Sequence, residues 1–264
     1  MILATHGFLA SSIGQFDADA QAFFDRVTTA GGSLSTTEKN AVNTLVIALK
    51  ANSLWTKMKA IYPMVGASAA ACSRNLKADE FNGTFTSTGW TFASTGATPN
   101  GTSAYMNTNL LPSTQLTLNS SHLSFYSRTL SNGVEVEMGG EDGSNGSIIE
   151  IRTSGTSYYR INSGNTYISS ADSDSRAFYM SNRTASNIIN GWRNSTKVAT
   201  GTVSSSGLAA QNVYIGAWNA IGLAQYFTTK ECAFASIGDG LTDAEVGLFY
   251  NSIQAFQTTL SRQV

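Results

Sequence analysis

Two apolar rhythms divide the chain, a helical one towards its ends and a strand-like one between them. From Phe16 to about Ala30, the run FDADAQAFFDRVTTA places Phe16, Ala20, Phe23, Phe24 and Val27 on one helical stripe, with Asp17 and Asp19 where the helix dipole favours them. Gly31-Gly32 stops that helix. A second opens at Ser35-Thr36-Thr37-Glu38, a capping-box spacing in which Ser35 meets a first-turn amide while Glu38 reaches back. Its apolar face is Ala41, Val42, Leu45, Val46 and Leu49. Leu54, Trp55, Met58 and Ile61 then predict one more short helical piece before Pro63 ends it. Stripes of this kind need a surface to bury them, either the rest of the chain or a neighbouring subunit.

Beyond the small-residue segment Val65 to Ala71, strand-length runs occur at His122 to Thr129, Val134 to Met138, Ile148 to Arg152, Tyr158 to Asn162, Ala177 to Ser181 and Val213 to Trp218. Gly, Thr, Ser and Asn punctuate them closely, which argues a sandwich or barrel over a parallel sheet. Asn190-Gly191 is the strongest local hairpin signal, because both positions of its turn need positive φ. A second capping box at Thr242 to Glu245 restores the helical period, with Val246, Phe249, Tyr250, Ile253, Phe256 and Leu260 on a helix from about Asp243 to about Ser261.

Three pieces, IINGW (Ile188 to Trp192), VYIGAW (Val213 to Trp218) and ASIGDGLTDAEV (Ala235 to Val246), together resemble the concanavalin A-like, laminin G-like jelly roll. On a longer scale, LVIALKANSLWTKMKAIYPMVG (Leu45 to Gly66), NLKA (Asn75 to Ala78), the β region and YNSIQAFQTTLSRQV (Tyr250 to Val264) form an arrangement similar to a family of bacteriophage virion proteins, often tail- or fibre-associated. The resemblance implies a mainly β fold, an antiparallel concanavalin A-like jelly-roll sandwich with N-terminal helices and a C-terminal amphipathic helix. It divides the chain into an N-terminal arm and helical unit (1–66), the sandwich (67–241) and the C-terminal helix (242–264). It also implies a structural component of a tail, fibre or capsid decoration, whose partners are other virion proteins and further copies of itself.

Composition narrows the chemistry. Of 264 residues, 42% are apolar and only 12% charged, so a sizeable core lies under a polar surface of Ser, Thr, Asn and Gly. A net charge of -1 provides no basic field, which argues against nucleic acid and anionic membranes as partners. The opening MILATHGFLASSIG has no basic n-region and too short an apolar run for a signal peptide, so assembly in a host cytoplasm is the expectation. In the arm from Met1 to Gln15, Ile2, Leu3, Phe8, Leu9 and Ile13 are costly to leave in water. They predict burial against a neighbouring subunit or against the chain's own helices.

Glu135 and Glu137 share one face of a predicted strand, a spacing similar to that of the jelly-roll β-glucanases, but Gly139 and Gly140 stand where the partner acid belongs. The plainer expectation is a solvated strand face running into a loop. Two histidines, His6 and His122, do not make a zinc cage. Asp172-Ser173-Asp174 reads as an Asp/Ser turn, since Ala177 and Arg183 occupy positions a calcium loop reserves for Gly and Glu. With no nucleophile elbow and no phosphate loop, neither a cofactor nor a metal is expected. The leading expectation is therefore a non-enzymatic virion protein displaying a lectin-like domain. The alternative is a glycan-binding host-attachment module, and a third reading is a glycan hydrolase built on Glu135 and Glu137. For sugar stacking, the aromatics Tyr158, Tyr159, Tyr167, Trp90, Trp192 and Trp218 are available, with Tyr158, Tyr159 and Trp192 the chosen candidates. Strand alternation requires one of Tyr158 and Tyr159 to face outward.

Overall fold

The computed structural model describes residues 16–264. The expected roles of Ile2, Leu3, Phe8, Leu9 and Ile13, and of His6, lie outside that range. Asp17 caps α1 (Ala18–Thr29) by accepting the Asp19 amide at 3.0 Å. The Ser35–Glu38 capping box opens α2 (Thr36–Ala51), with the reciprocal bonds at 3.2 and 2.8 Å. After a 3-10 turn at Trp55–Lys57 the chain enters β1 (Met58–Tyr62), where periodicity predicts a helix. Here Met58 and Ile61 face the helical layer while Ala60 and Tyr62 face the interior of the sandwich. A strand buried on both faces loses its polar alternation, and its apolar residues then mimic a helical stripe.

The chain continues through α3 (Ala69–Cys72), β2 (Thr84–Phe85), β3 (Trp90–Ala93), β4 (Gly96–Pro99), β5 (Met106–Asn107), α4 (Pro112–Gln115) and β6 (Ser121–Ser127). Next come β7 (Met138–Glu141), β8 (Gly146–Thr153), β9 (Thr156–Ser163), β10 (Ile168–Ala171), β11 (Ala177–Ala185), β12 (Ile188–Arg193) and β13 (Thr196–Thr202). Last are β14 (Tyr214–Ile215), β15 (Trp218–Ala220), β16 (Leu223–Gln225), β17 (Cys232–Gly238) and α5 (Asp243–Thr259), which starts on the Thr242–Glu245 capping box.

These strands form a mainly antiparallel jelly-roll sandwich. One sheet runs β13-β12-β11-β6-β17-β4-β3, with β1 beside β17. The other runs β10-β9-β8-β7-β14-β5-β2, and the β15–β16 hairpin joins it through a parallel pairing of β15 with β7. Between them, Leu123, Phe125, Tyr179, Ile189 and Ile237 of the first sheet meet Met138, Ile149, Ile151, Tyr159 and Ile161 of the second. Arg183 links the sheets from β11, its Nε donating to the Ile161 carbonyl at 2.9 Å. Each buried aliphatic or aromatic side chain contributes up to ~1.5–3 kcal/mol, so this layer dominates the favourable side of the balance.

Asn190 and Gly191 do not make a turn. They sit inside β12, paired with Asn182 and Ser181 on one side and Thr200 and Ala199 on the other. The glycine serves packing, because a Cβ at Gly191 would overlap the Tyr159 ring across the core. The reversal falls instead at Asn194, whose φ is 55°. The strand expected at Val134 to Met138 does not form: β7 begins only at Met138, and Gly139 lies inside it, where a Cβ would stand 2.7 Å from the Ser147 carbonyl of β8.

Candidate functional site

The two sheets present very different outer faces. Tyr126, Phe178, Met180, Trp192 and Phe234 point outward from the first, and α1, α2 and α5 cover them in one continuous cluster with Phe23, Leu45, Val246, Phe249 and Ile253. The stripes read from sequence therefore pack on the chain's own sandwich. Trp192 is only 3% exposed in that layer, so it does not offer a sugar-stacking face. Tyr159 is also withdrawn, its ring fully buried between the sheets. Tyr158, its neighbour, takes the outward position on β9, directly across the ladder from Glu150.

The outer face of the second sheet carries a cleft of ≈ 240 Å³ lined by Val134, Val136, Ile148, Glu150, Tyr167, Trp218 and Tyr226. Alternation builds its floor, for Ile149 and Ile151 of β8 enter the core and leave Ile148 and Glu150 outside. One wall is the Trp218–Tyr226 pair at the β15–β16 hairpin, with ring centroids 5.8 Å apart and Tyr226 48% exposed. Tyr167 also lines the cleft and is held by Arg160, whose guanidinium lies 5.4 Å from its ring centroid. The Trp218 indole N–H is buried without an acceptor, a condition that costs ~1–3 kcal/mol unless a ligand supplies one. Glu150 has no ion-pair partner among the described residues, and burial raises its carboxyl above the usual range despite the opposing pull of Thr153 and Lys230.

Glu135 and Glu137 lie beneath the Val134–Val136 wall, buried instead of solvated. The fully buried Lys230 Nζ stands 2.8 Å from Glu135 and 3.0 Å from Glu137. Thr228 Oγ1 stands 2.9 and 3.0 Å from the same two carboxylates, and Thr229 Oγ1 donates to Glu135 at 2.8 Å. Glu137 also accepts the Ile151 amide at 2.6 Å, at the irregularity in β8 that follows Glu150. Burial pushes the Glu137 carboxyl up to about 7 against the pull of Lys230. For Glu135, burial acts in the same direction, but Lys230 and the Thr229 amide outweigh it and hold the carboxyl low. Both carboxylates are ion-paired to Lys230, and neither lines the cleft.

The expected turn at Asp172 is present but closed inward. Its Oδ2 accepts Ser157 Oγ at 2.7 Å and Tyr179 OH at 2.6 Å. Among the described residues no group of three or more His, Cys, Asp or Glu is placed to hold a metal ion. Of the aromatics named from sequence, Trp218 and Tyr167 reach the cleft, whereas Trp90 packs on Phe85 and Phe92. Tyr226 and Glu150 were not legible as site residues. Tyr226 follows β16 with positive φ, and Glu150 is a single acid in an apolar strand, so neither makes a motif.

No protein-family profile and no curated protein matches the sequence. Solved structures do. Domain 4 of AbnA, a GH43 extracellular arabinanase from Geobacillus stearothermophilus, in complex with arabinotriose, aligns over 73% of this chain and 98% of its own at 15% identity and a TM-score of 0.53. That likeness shows the fold. A leech intramolecular trans-sialidase (14% identity, 49% of this chain, TM-score 0.40) and the Ruminococcus gnavus IT-sialidase CBM40 (15%, 49% and 0.40) also match, at a similarity too low to carry an argument. The matched part spans 23% of the leech enzyme and 81% of the CBM40 domain.

Proposed function

We propose that the chain is a glycan-binding module and that the cleft on the open sheet is where it binds. The observation that carries this reading is the combination of Trp218, Tyr226 and Tyr167 with a carboxylate that has no ion-pair partner among the described residues, Glu150, over a floor supplied by β8. Sugar rings present apolar C–H faces edged by hydroxyls. Aromatic walls and one or two fixed polar groups are their physical complement. The arabinanase domain is a companion in fold, and the proposal rests on the cleft itself.

The resemblance to bacteriophage virion proteins supplies the setting we propose: a particle component that presents the sandwich to a host surface glycan, with virion proteins and copies of itself as partners. Mass spectrometry of purified particles tests the setting separately from the binding. Catalysis on Glu135 and Glu137 is no part of the proposal, because both are committed to Lys230.

The binding test is a glycan array followed by calorimetry on the hits. Trp218→Ala and Tyr226→Ala are each expected to weaken binding by ~10- to 100-fold while the protein remains folded. Hits whose affinity neither substitution changes would place the site elsewhere and overturn the reading.

A further inference from the structure

We infer that the cleft selects uncharged saccharides and rejects those bearing a carboxylate or sulfate, an inference that rests on the glycan-binding reading. The residues lining the cleft include one acid, Glu150, and no base. Two cations near the cleft, Arg160 and Lys230, are ion-paired with acids outside the lining. Arg160 is 1% exposed; its Nη1 meets Glu141 at 2.6 Å and Tyr167 OH at 3.4 Å, and its Nε and Nη2 donate to the Ser163 carbonyl at 3.2 and 3.0 Å. Lys230 is locked between Glu135 and Glu137. Arg152 donates its Nη1 to the Ser131 carbonyl at 3.0 Å; it has no carboxylate partner among the described residues, but it does not line the cleft.

An acidic sugar seated on the aromatic walls would therefore bring its charge to Glu150 with no base among the lining residues to neutralise it. At a separation of about 5 Å in a partly buried site, that repulsion corresponds to a discrimination on the order of 100-fold. A neutral sugar meets no such opposition, since its hydroxyls donate to the carboxylate. The cleft, at ≈ 240 Å³, lies below the ~300–1,000 Å³ typical of drug-sized sites, which suits a single ring of the glycan.

The experiment compares matched pairs on the full chain: neutral oligosaccharides printed beside their sialylated, sulfated and uronic acid counterparts, with wild type and Glu150→Gln. Binding is expected on the neutral members, with the acidic counterparts weaker by the factor above. The isosteric Glu150→Gln, with its melting temperature checked, is expected to narrow that gap at least tenfold. Stronger binding of the acidic members overturns the selectivity while leaving the glycan reading intact. An unchanged gap in Glu150→Gln overturns the role of the carboxylate. Binding to no saccharide of either class removes both the selectivity and the reading beneath it.

Discussion

The outer faces of the two sheets are built by the same strand alternation and meet opposite fates. On the first, the outward residues Phe178, Met180, Trp192 and Phe234 are large and apolar, and three helices cover them. On the second, the corresponding positions of β8 and β9 include Glu150, Tyr158 and Arg160, and loops and the β15–β16 hairpin border a cleft instead. Apolar outward residues recruit a third layer because leaving them in water is costly. Mixed polar and aromatic ones do not, and so leave concave surface for a ligand. The aromatic candidates taken from sequence illustrate the difference: Trp192 serves cohesion and Trp218 serves the cleft, although both are tryptophans on strands of the same sandwich.

The comparison breaks most severely where burial is complete. Trp192→Ala is expected to cost ~3–5 kcal/mol by emptying the layer beneath α5, measured by urea denaturation. On the open side, only the brace below the cleft has comparable weight. Lys230→Met leaves Glu135 and Glu137 without a counter-charge, and a loss of ~3–5 kcal/mol is expected in the same assay.

A pH series sharpens the contrast from the covered side. His122 is fully buried against Phe249, with Nδ1 2.7 Å from the Asp239 carbonyl and Nε2 3.0 Å from Ser236 Oγ. Burial lowers its pKa to about 4, with Lys57 adding to the effect and the Asp239 carbonyl opposing it. Between the ordinary 6.5 and that value the unfolded chain takes up a proton that the folded chain refuses. Stability contributed by neutral His122 is thus full above about pH 6.5 and falls by about 3 kcal/mol as the pH drops through 4. His122→Gln should flatten that part of the profile.

Gly191→Ala forces a methyl against the Tyr159 ring, and ~1–3 kcal/mol of overpacking is expected in denaturant titration. Tyr226→Ala, at the half-exposed rim of the cleft, should change stability by no more than about 0.5 kcal/mol while weakening binding ~10- to 100-fold.

Part of this architecture is legible in the sequence. Both capping boxes and the helical stripes declare themselves locally, because the bonds that satisfy them span only a few residues, and the runs that become β6, β8, β9 and β11 are equally plain, whereas the central β17 and the short strands are not. The failures are all nonlocal. Asn190-Gly191 has the chemistry of a turn, but its glycine answers to Tyr159, more than 30 residues earlier in the chain. Glu135 and Glu137 looked solvated because Lys230, which buries them, is more than 90 residues away. Of the cleft, the sequence offered Trp218 and Tyr167 among several aromatics. Which of them face outward is decided by strand register and by the helical layer, and neither is written in spacing.

The most direct measurement is amide chemical-shift mapping as a neutral oligosaccharide identified on the array is titrated into the labelled protein. The account predicts that the perturbed residues cluster at Val134, Val136, Ile148, Glu150, Tyr167, Trp218 and Tyr226, with Phe178, Met180 and Trp192 unmoved. Perturbations gathered instead on α2, α5 or the covered sheet would contradict it.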